Sequence, residues 1–156
     1  MCDRLIEALR IVAGDRHKLI VVLGDFGSGK TALLKDVCQA VGGVYLNVNL
    51  EVSERLLAMP PDAYTDGMTP SEIIDDLCDQ LSPDRRPIFA DNVELLLSSE
   101  VGGLNIVDTF KRAARQRPVV LALPARLQGG YAEYSTLGRP DHMLMAVDEY
   151  IVLEMK

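Results

Sequence analysis

Two kinds of hydrophobic pattern alternate along the 156-residue chain. In some segments apolar residues recur every three or four positions, which is typical of helices that bury one face. Between them lie short, continuous, β-branched runs such as 19–23 (LIVVL), which are typical of strands in a buried parallel sheet. The pattern predicts helices over 5–12, 30–41, 52–58, 70–81, from 93 onward and over 105–115, and strands over 19–23, 44–49, 87–90, 119–123 and 150–155.

Turn-forming residues separate these predicted elements. Gly42 and Gly43 end the second helix, and the stretch 59–68 contains two prolines and a glycine, which predicts a loop. The tetrapeptide 69–72 (TPSE) combines an N-cap threonine, a proline at the first helical position and a glutamate at the third, which predicts a helix start. Residues 128–141 show no periodicity, so we expect a loop there.

Strands separated by helices predict one α/β domain over residues 1–156 with a mainly parallel sheet. The composition is 48% hydrophobic and 25% charged, which is typical of soluble folded proteins and excludes a disordered or collagen-like chain. No apolar run is long enough for a membrane span, and charged residues interrupt the first ten positions, so we expect neither an anchor nor a signal peptide. These features predict a cytoplasmic protein.

The charge balance limits the partners that we expect. Sixteen basic and 23 acidic residues give a formal net charge of −7, which does not support unaided nucleic-acid binding. A local basic cluster of Lys111, Arg112, Arg115 and Arg117 is still compatible with contact to nucleic acid or a partner protein. The interpretation that we favour is a solvated helix end, where cations complement the helix dipole.

Cysteine usage agrees with an intracellular protein. The chain has three cysteines, at positions 2, 38 and 78, with no CxxC pair and no histidine close by. An odd number without ligand spacing predicts reduced thiols rather than disulfides or a zinc site.

The most specific motif is the segment 24–31 (GDFGSGKT), which matches the phosphate-loop pattern GxxxxGK[ST] at every fixed position. A predicted strand ends directly before it and a predicted helix begins within it, which is the context that this motif requires. Its glycines let successive N–H groups and the helix N-terminus face one anion, and Lys30 is expected to bridge the β- and γ-phosphates. The predicted nucleotide-binding residues are Gly24, Gly27, Ser28, Gly29, Lys30, Thr31 and Ala32.

A second motif supplies the acid that such loops need for Mg²⁺. The apolar strand predicted at 87–90 is followed by Asp91, and we expect Thr31 and Asp91 to hold the ion. Many P-loop ATPases carry a glutamate directly after this aspartate, but here that position is Asn92 and the nearest glutamate is Glu94. Glu94 is either the general base or an acid that suits a first helical turn, whereas Asn92 can orient water without accepting its proton.

The residues that follow the fourth predicted strand give less support to hydrolysis. Residues 119–124 (VVLALP) offer no polar side chain that could sense a γ-phosphate, and the first one comes at Arg126. Arg126 and Arg139 lie where oligomeric ATPases carry arginines that reach a neighbour's nucleotide, so each is a candidate for that role. The guanine-binding motif NKxD is absent, which favours ATP.

Segments beyond the phosphate loop carry a family resemblance. They are 47–50 (NVNL) with 53–57 (SERLL), 91–96 (DNVELL), 122–124 (ALP) and the tyrosine-containing 131–142. In the order of these segments and in its length, the chain resembles the BrxF family, the small P-loop proteins of type 3 BREX phage-defence systems. Ala122 and Arg139 depart from that family's pattern. The resemblance implies a cytoplasmic component that acts with a methyltransferase, a phosphatase-like protein and larger ATPases.

Together these features predict a three-layer α/β P-loop domain of the ASCE division, with an AAA+-like core of five mainly parallel strands. The phosphate-loop strand is expected at the centre, not adjacent to the strand that precedes Asp91. We expect no helical lid, so that a second copy or another defence protein would close the nucleotide's open side. The predicted function is an ATP- and Mg²⁺-dependent ATPase, and the alternative is a nucleotide-gated assembly module with little or no intrinsic hydrolysis. A small-molecule kinase is disfavoured because 59–68 has no arginine.

Overall fold

The computed structural model describes residues 1–58, 70–97 and 105–155, which form two sheets and six helices. The helices are α1 (Cys2–Val12), α2 (Lys30–Val41), α3 (Val48–Ala58), α4 (Pro70–Leu81), α5 (Glu94–Leu97) and α6 (Ile106–Ala113). The strands are β1 (Leu19–Leu23), β2 (Val44–Asn47), β3 (Ile88–Asp91), β4 (Val119–Leu123), β5 (Arg126–Gln128), β6 (Tyr131–Tyr134), β7 (Met143–Ala146) and β8 (Ile151–Glu154).

The larger sheet has five strands in the order β2-β3-β4-β1-β8, and every neighbouring pair is parallel. The predicted α/β class with a five-stranded parallel sheet is confirmed. β4 separates β1 from β3, since Leu121 pairs with Val21 on one side and with Ala90 on the other. The strand before the phosphate loop and the strand that ends at Asp91 are therefore not adjacent, as predicted, and their carboxyl ends meet at one edge of the sheet. The central strand is β4 and not β1, which corrects the expected position of the phosphate-loop strand.

Helices cover both faces of this sheet. Leu19 and Val21 of β1 belong to the core beneath α3, α4, α5 and α6, whereas Ile20 and Val22 belong to the core beneath α1 and α2. All five side chains of β1 and of β4 are buried, which explains why their sequences are continuously apolar rather than alternating. The predicted three layers are thus present.

A second sheet, formed by the antiparallel strands β5, β6 and β7, corrects the prediction of a loop over 128–141. β5 and β6 form a hairpin in which Gln128 pairs with Tyr131 across Gly129 and Gly130. Strands of three and four residues are too short to give a periodic signal. The two-glycine connection was the local signal for a hairpin, and the loop prediction missed it.

β2 and the following helix meet earlier than the sequence pattern predicts. β2 ends at Asn47 instead of 49, and α3 begins at Val48 instead of 52. The Oδ1 of Asn47 accepts a 3.1 Å hydrogen bond from the N–H of Leu50, as an N-cap side chain does. This early helix start places Asn49 beside the end of β3, where its N–H donates to the carbonyl of Asn92 at 2.8 Å.

Other predicted elements agree with the structure to within a few residues. The threonine at position 69 of the predicted helix start, the loop 59–68 and residues 98–104, between the last two predicted helix starts, lie outside the described residues. All three cysteines are free thiols, and Cys38 and Cys78 are buried. Burial raises the pKa of Cys78 to about 12, so this thiol stays protonated and unreactive in the folded protein.

The described helices are short compared with the thickness of a bilayer. The longest ones, α2 and α4, each contain 12 residues, whereas a membrane-spanning helix needs about 20 apolar residues. Within 1–58, 70–97 and 105–155, no helix has the length and apolar character to cross a membrane.

Gly43, directly before β2, approaches β3 so closely that a side chain cannot be added without movement. A Cβ there would lie 2.6 Å from Cε1 of Phe89 and 2.8 Å from the carbonyl oxygen of Pro87. We expect Gly43→Ala to lower the free energy of unfolding by about 1–3 kcal/mol, the usual cost of overpacking, as measured by urea denaturation. Gly14→Ala is the matched control because no atom lies within 4 Å of a Cβ there. Equal losses in the two variants would contradict the close approach.

Candidate functional site

The phosphate loop connects β1 to α2 at the carboxyl edge of the parallel sheet. Its backbone is left-handed at Gly27 (φ 77°) and at Gly29 (φ 94°), a conformation that glycine adopts without strain. At Gly24 a Cβ would lie 2.5 Å from the Oγ of Ser28, so the loop folds tightly around this position as well. The backbone conformation therefore favours glycine at 27 and 29, and the close approach of Ser28 favours it at 24.

The ammonium group of Lys30 lies inside this loop. Its Nζ donates to the carbonyl oxygens of Gly24 at 2.6 Å and Asp25 at 2.8 Å, and to the Oγ of Ser28 at 3.3 Å. Burial lowers the pKa of Lys30, and nearby carboxylates, Asp91 foremost, partly offset that shift. A buried ammonium that is bonded to neutral oxygens can exchange them for phosphate oxygens, which form stronger, charge-assisted hydrogen bonds.

The first turn of α2 supplies further donors for an anion. Gly29 is the N-cap of this helix and has no side chain that could bond the first amides. The N–H of Leu33 reaches the carbonyl of Gly29 at 3.1 Å, whereas the N–H groups of 30–32 precede the first intrahelical bond. These amides, the Lys30 ammonium and the helix dipole together form the donor set of a phosphate site, so the residues present fit a nucleotide's phosphates.

Asp91, at the end of β3, is the centre of a hydrogen-bond network at the same edge. Its Oδ2 accepts hydrogen bonds from the Oγ1 of Thr31 at 2.6 Å and from the hydroxyl of Tyr45 at 2.8 Å. Its Oδ1 accepts one from the backbone N–H of Asn92 at 2.9 Å. Asp91 is only 5% exposed, and the network supplies the partners that a buried carboxylate needs.

The oxygen atoms of Thr31 and Asp91 also fit Mg²⁺. This ion prefers oxygen ligands and usually takes one or two from the protein, with water and phosphate completing its shell. The Thr31 hydroxyl donates a hydrogen bond to Asp91, so its oxygen lone pairs remain available to a cation. Among the described residues, no group of three or more His, Cys, Asp or Glu side chains could hold a metal by itself. These two residues would therefore hold Mg²⁺ together with a bound phosphate.

The two residues predicted to prepare water follow directly after β3. Asn92 has a left-handed backbone (φ 57°), which is uncommon outside glycine, and its Nδ2 lies 3.5 Å from the hydroxyl of Tyr45. Glu94 begins α5, and its Oε2 accepts a hydrogen bond from the Nδ2 of Asn49 at 3.0 Å. The Oδ1 of Asn49 accepts one from the N–H of Leu95 at 3.0 Å. One asparagine thus holds both the Glu94 carboxylate and the first turn of α5.

Arg126 lies beside the phosphate loop of its own chain. It is the first residue of β5, and its Nε lies 3.6 Å from the Oδ1 of Asp25, with both side chains exposed. A cleft of about 480 Å³ lies between the loop residues Asp25 and Phe26 and the small sheet. Arg139, between β6 and β7, lies 3.9 Å from Asp141 and is also exposed. Exposed ion pairs contribute little to stability, so neither arginine is held firmly.

The predicted basic cluster divides in the folded chain. Arg117 is 4% exposed and donates to the Oδ1 of Asp79 at 2.8 Å, which ties it to α4. Arg112 forms an ion pair of 3.2 Å with Asp75, also on α4. The other two cations lie near His17, whose pKa is lowered by partial burial and then by these positive charges. Arg117 is therefore buried in a structural contact, whereas Arg112 and Arg115 remain exposed.

Tyr45 and Asn49 are site residues that the sequence analysis did not identify. Burial, reinforced by the Asp91 carboxylate, raises the pKa of Tyr45 to about 12, so its hydroxyl remains a proton donor at neutral pH. Both residues come from the segment around β2, and Asn47 of that strand pairs with Asp91. These two residues could have been identified only by knowing that β2 pairs with β3, and that pairing is set by the whole sheet and not by the local sequence.

The contact between Asn49 and Glu94 provides a test of this geometry. Asn49→Asp would set two carboxylates where an amide and a carboxylate now lie 3.0 Å apart. We expect the variant to lose about 1–2 kcal/mol of unfolding free energy at pH 7.5, from the lost hydrogen bond and the repulsion. Repulsion raises the folded-state pKa of the pair, so one carboxyl gains a proton on acidification and the deficit should shrink by pH 5.

Gln116→Glu is the matched control because it adds the same negative charge at an exposed position outside the site. By urea denaturation it should stay within about 0.5 kcal/mol of the wild type at both pH values. An Asn49→Asp protein as stable as wild type at pH 7.5 would show that residues 49 and 94 are not in contact.

Comparison with known proteins identifies a fold but no family. No family model matches the chain, and no curated protein matches its sequence. Among solved structures it is similar to C. elegans PCH-2, with a TM-score of 0.53 and 19% sequence identity over 99% of this chain. The aligned region covers 41% of the PCH-2 chain, so this chain spans less than half of that protein's length. PCH-2 is an AAA+ ATPase, and at this identity the similarity shows a shared α/β, P-loop-like fold alone.

Proposed function

We propose that this chain binds Mg·ATP at the phosphate loop and hydrolyses it. The observation that carries the proposal is the 2.6 Å hydrogen bond between Thr31 and Asp91. It joins the hydroxyl of Thr31 in the phosphate loop to the carboxylate of Asp91 on a separate strand. Asp91 is also close enough to Lys30 for its negative charge to act on the Lys30 ammonium. Phosphate donors and metal-binding oxygens then share one site, as P-loop NTPases require. The position of β4 between β1 and β3 fits the ASCE division and an AAA+-like core.

In this proposal the loop residues bind the triphosphate. Lys30 would exchange the carbonyls of Gly24 and Asp25 for β- and γ-phosphate oxygens. The N–H groups of 27–32 and the Ser28 hydroxyl would complete the cradle. ATP is favoured over GTP because the sequence has no NKxD motif.

Thr31 and Asp91 would hold Mg²⁺ on the side of the phosphates that faces β3. The bound ion would supply charge neutralisation at the β- and γ-phosphate oxygens. Thr31 would contribute its oxygen lone pairs, and Asp91 would accept hydrogen bonds from water around the ion. Both side chains already contact each other, so little rearrangement of the protein is needed.

Glu94 is the residue that we propose as general base, and Asn92 as a group that orients water. A carboxylate can accept the proton of an attacking water, whereas an amide cannot. Glu94 lies close enough to the phosphate loop to influence the charge on Lys30. Its hydrogen bond from Asn49 at 3.0 Å means that the same carboxylate must serve both the asparagine and the water.

The end of β4 favours a second candidate function, an ATP-gated assembly module with little or no intrinsic hydrolysis. Pro124 and Ala125 follow this strand, so no polar side chain stands where ATPases commonly sense the γ-phosphate. Arg126 pairs with Asp25 of its own loop, and Arg139 is exposed. In an oligomer, or in a complex with other defence proteins, one of these arginines would complete a neighbour's site.

The segments that resemble BrxF support a setting for this activity. Two of them, 47–50 and 91–96, supply Asn49 and Glu94, which contact each other at the site. We therefore propose a cytoplasmic role in a type 3 BREX phage-defence system, together with other proteins of that system. The net charge of −7 gives no support to DNA contact by this chain alone.

Lys30→Ala tests nucleotide binding directly. We expect it to weaken Mg·ATP binding by at least about tenfold, because a charged hydrogen bond to phosphate contributes roughly 1.5–3 kcal/mol. Isothermal titration calorimetry gives the affinity. Lys18→Ala is the matched control, since Lys18 bonds the carbonyls of Asp15 and Arg115 away from the loop. Equal affinity in wild type and Lys30→Ala would rule out the proposed site.

Phosphate release separates the ATPase from the assembly module. We expect the specific activity of the wild type with Mg·ATP to rise with protein concentration, because a neighbouring subunit would complete the site. The measurement covers a wide range of protein concentrations, with Lys30→Ala as the blank. Activity no higher than this blank at every concentration would instead support the assembly module.

A further inference from the structure

We propose that Tyr45 is a positioning residue of the metal site, whose hydroxyl holds the Asp91 carboxylate in the orientation that receives Mg²⁺ and its water. The inference rests on the proposed binding of Mg·ATP and deepens it. Tyr45 belongs to neither nucleotide-binding motif, and it comes from a strand at the opposite side of β3 from β4.

The register of β2 and β3 explains how Tyr45 reaches Asp91. Tyr45 pairs with Phe89, and Asn47 pairs with Asp91. Alternate residues of a strand face the same side, so Tyr45, Phe89 and Asp91 all point towards the layer of α1 and α2. Tyr45 packs against the core of that layer, which includes Phe89. Its hydroxyl extends to the Oδ2 of Asp91 at 2.8 Å.

The three donors to Asp91 leave little freedom to its carboxylate. A carboxylate offers about four lone-pair positions, two on each oxygen. Thr31 and Tyr45 occupy both positions on Oδ2, and the N–H of Asn92 occupies one on Oδ1. Rotation of the group would break these bonds, so the remaining position on Oδ1 has a fixed direction. Outer donors orient metal-binding carboxylates in this way.

Tyr45 is itself held from two sides. The Nζ of Lys35 lies 5.1 Å from the centre of its ring, a cation–π contact. The Nδ2 of Asn92 lies 3.5 Å from its hydroxyl, so this oxygen can accept from Asn92 while it donates to Asp91. The hydroxyl therefore links the proposed metal residue to a residue proposed to orient water.

Tyr45→Phe isolates the contribution of the hydroxyl, because the ring, its packing and its contact with Lys35 remain. A hydroxyl that only satisfied a buried carboxylate would affect stability, but not the orientation of the metal. The test therefore compares nucleotide affinity with and without a divalent ion, and follows the ion directly.

Wild type, Tyr45→Phe, Tyr150→Phe and Asp91→Ala are each titrated with ATP in Mg²⁺ and in EDTA. Mn²⁺ binding to each ATP complex is followed by electron paramagnetic resonance. We expect Tyr45→Phe to weaken Mn²⁺ binding by about tenfold, the usual lower limit for losing an outer donor, without changing ATP affinity in EDTA. Asp91→Ala should lose more, again only with the metal. Tyr150→Phe, a tyrosine that packs against the other core, should match wild type throughout.

Three outcomes would overturn the inference, and they differ in what else they affect. Mn²⁺ binding by Tyr45→Phe that equals or exceeds wild type, with a clear loss in Asp91→Ala, would remove the role of Tyr45 and leave the proposed function intact. Equal losses of ATP affinity in Mg²⁺ and in EDTA would indicate a damaged loop instead of a misoriented carboxylate. A wild-type protein that binds no ATP in either condition would refute the proposed function and this inference together.

Discussion

The hydrogen bond between Thr31 and Asp91 depends on the order of strands in the parallel sheet. β4 lies between β1 and β3, so the ends of the two motif-bearing strands are separated by two strand spacings, or about 10 Å. The phosphate loop and the first turn of α2 close this gap from one side, and the Asp91 side chain meets Thr31 from the other. A change in the strand order would separate Thr31 from Asp91 and would therefore dismantle the site.

Polar groups at this edge are buried, and the protein satisfies them without a ligand. Lys30 is 9% exposed and Asp91 is 5% exposed, yet each makes three hydrogen bonds at or below 3.3 Å. Unpaired, such groups would cost several kcal/mol each. The proposed nucleotide binding would therefore exchange existing hydrogen bonds for new ones, above all at Lys30. Its affinity would reflect the difference between phosphate oxygens and the carbonyls that Lys30 now holds.

The elements that could be predicted are those whose signal is local. β1 and β4 were predicted at their observed positions because a short, continuous apolar run bounded by polar or turn-forming residues is typical of a strand that is covered on both faces. The hairpin of β5 and β6 was missed because its strands are short and its turn signal, a pair of glycines, is weak. The early start of α3 was missed because the capping role of Asn47 depends on one side-chain bond that outweighs the strand-like pattern before it.

The sequence by itself determined the phosphate loop and the acid after β3, because both motifs depend on residue types at fixed short spacing. It did not determine that Tyr45 would bond Asp91 or that Asn49 would bond Glu94. Those contacts exist because β2 pairs with β3, and the pairing of two strands more than 40 residues apart is decided by the packing of the whole sheet between its helical layers. Spacing along the chain carries no information about such neighbours. The basic cluster shows the same limit, since the fold exposes Arg112 on α6 and buries Arg117, which follows that helix, against Asp79.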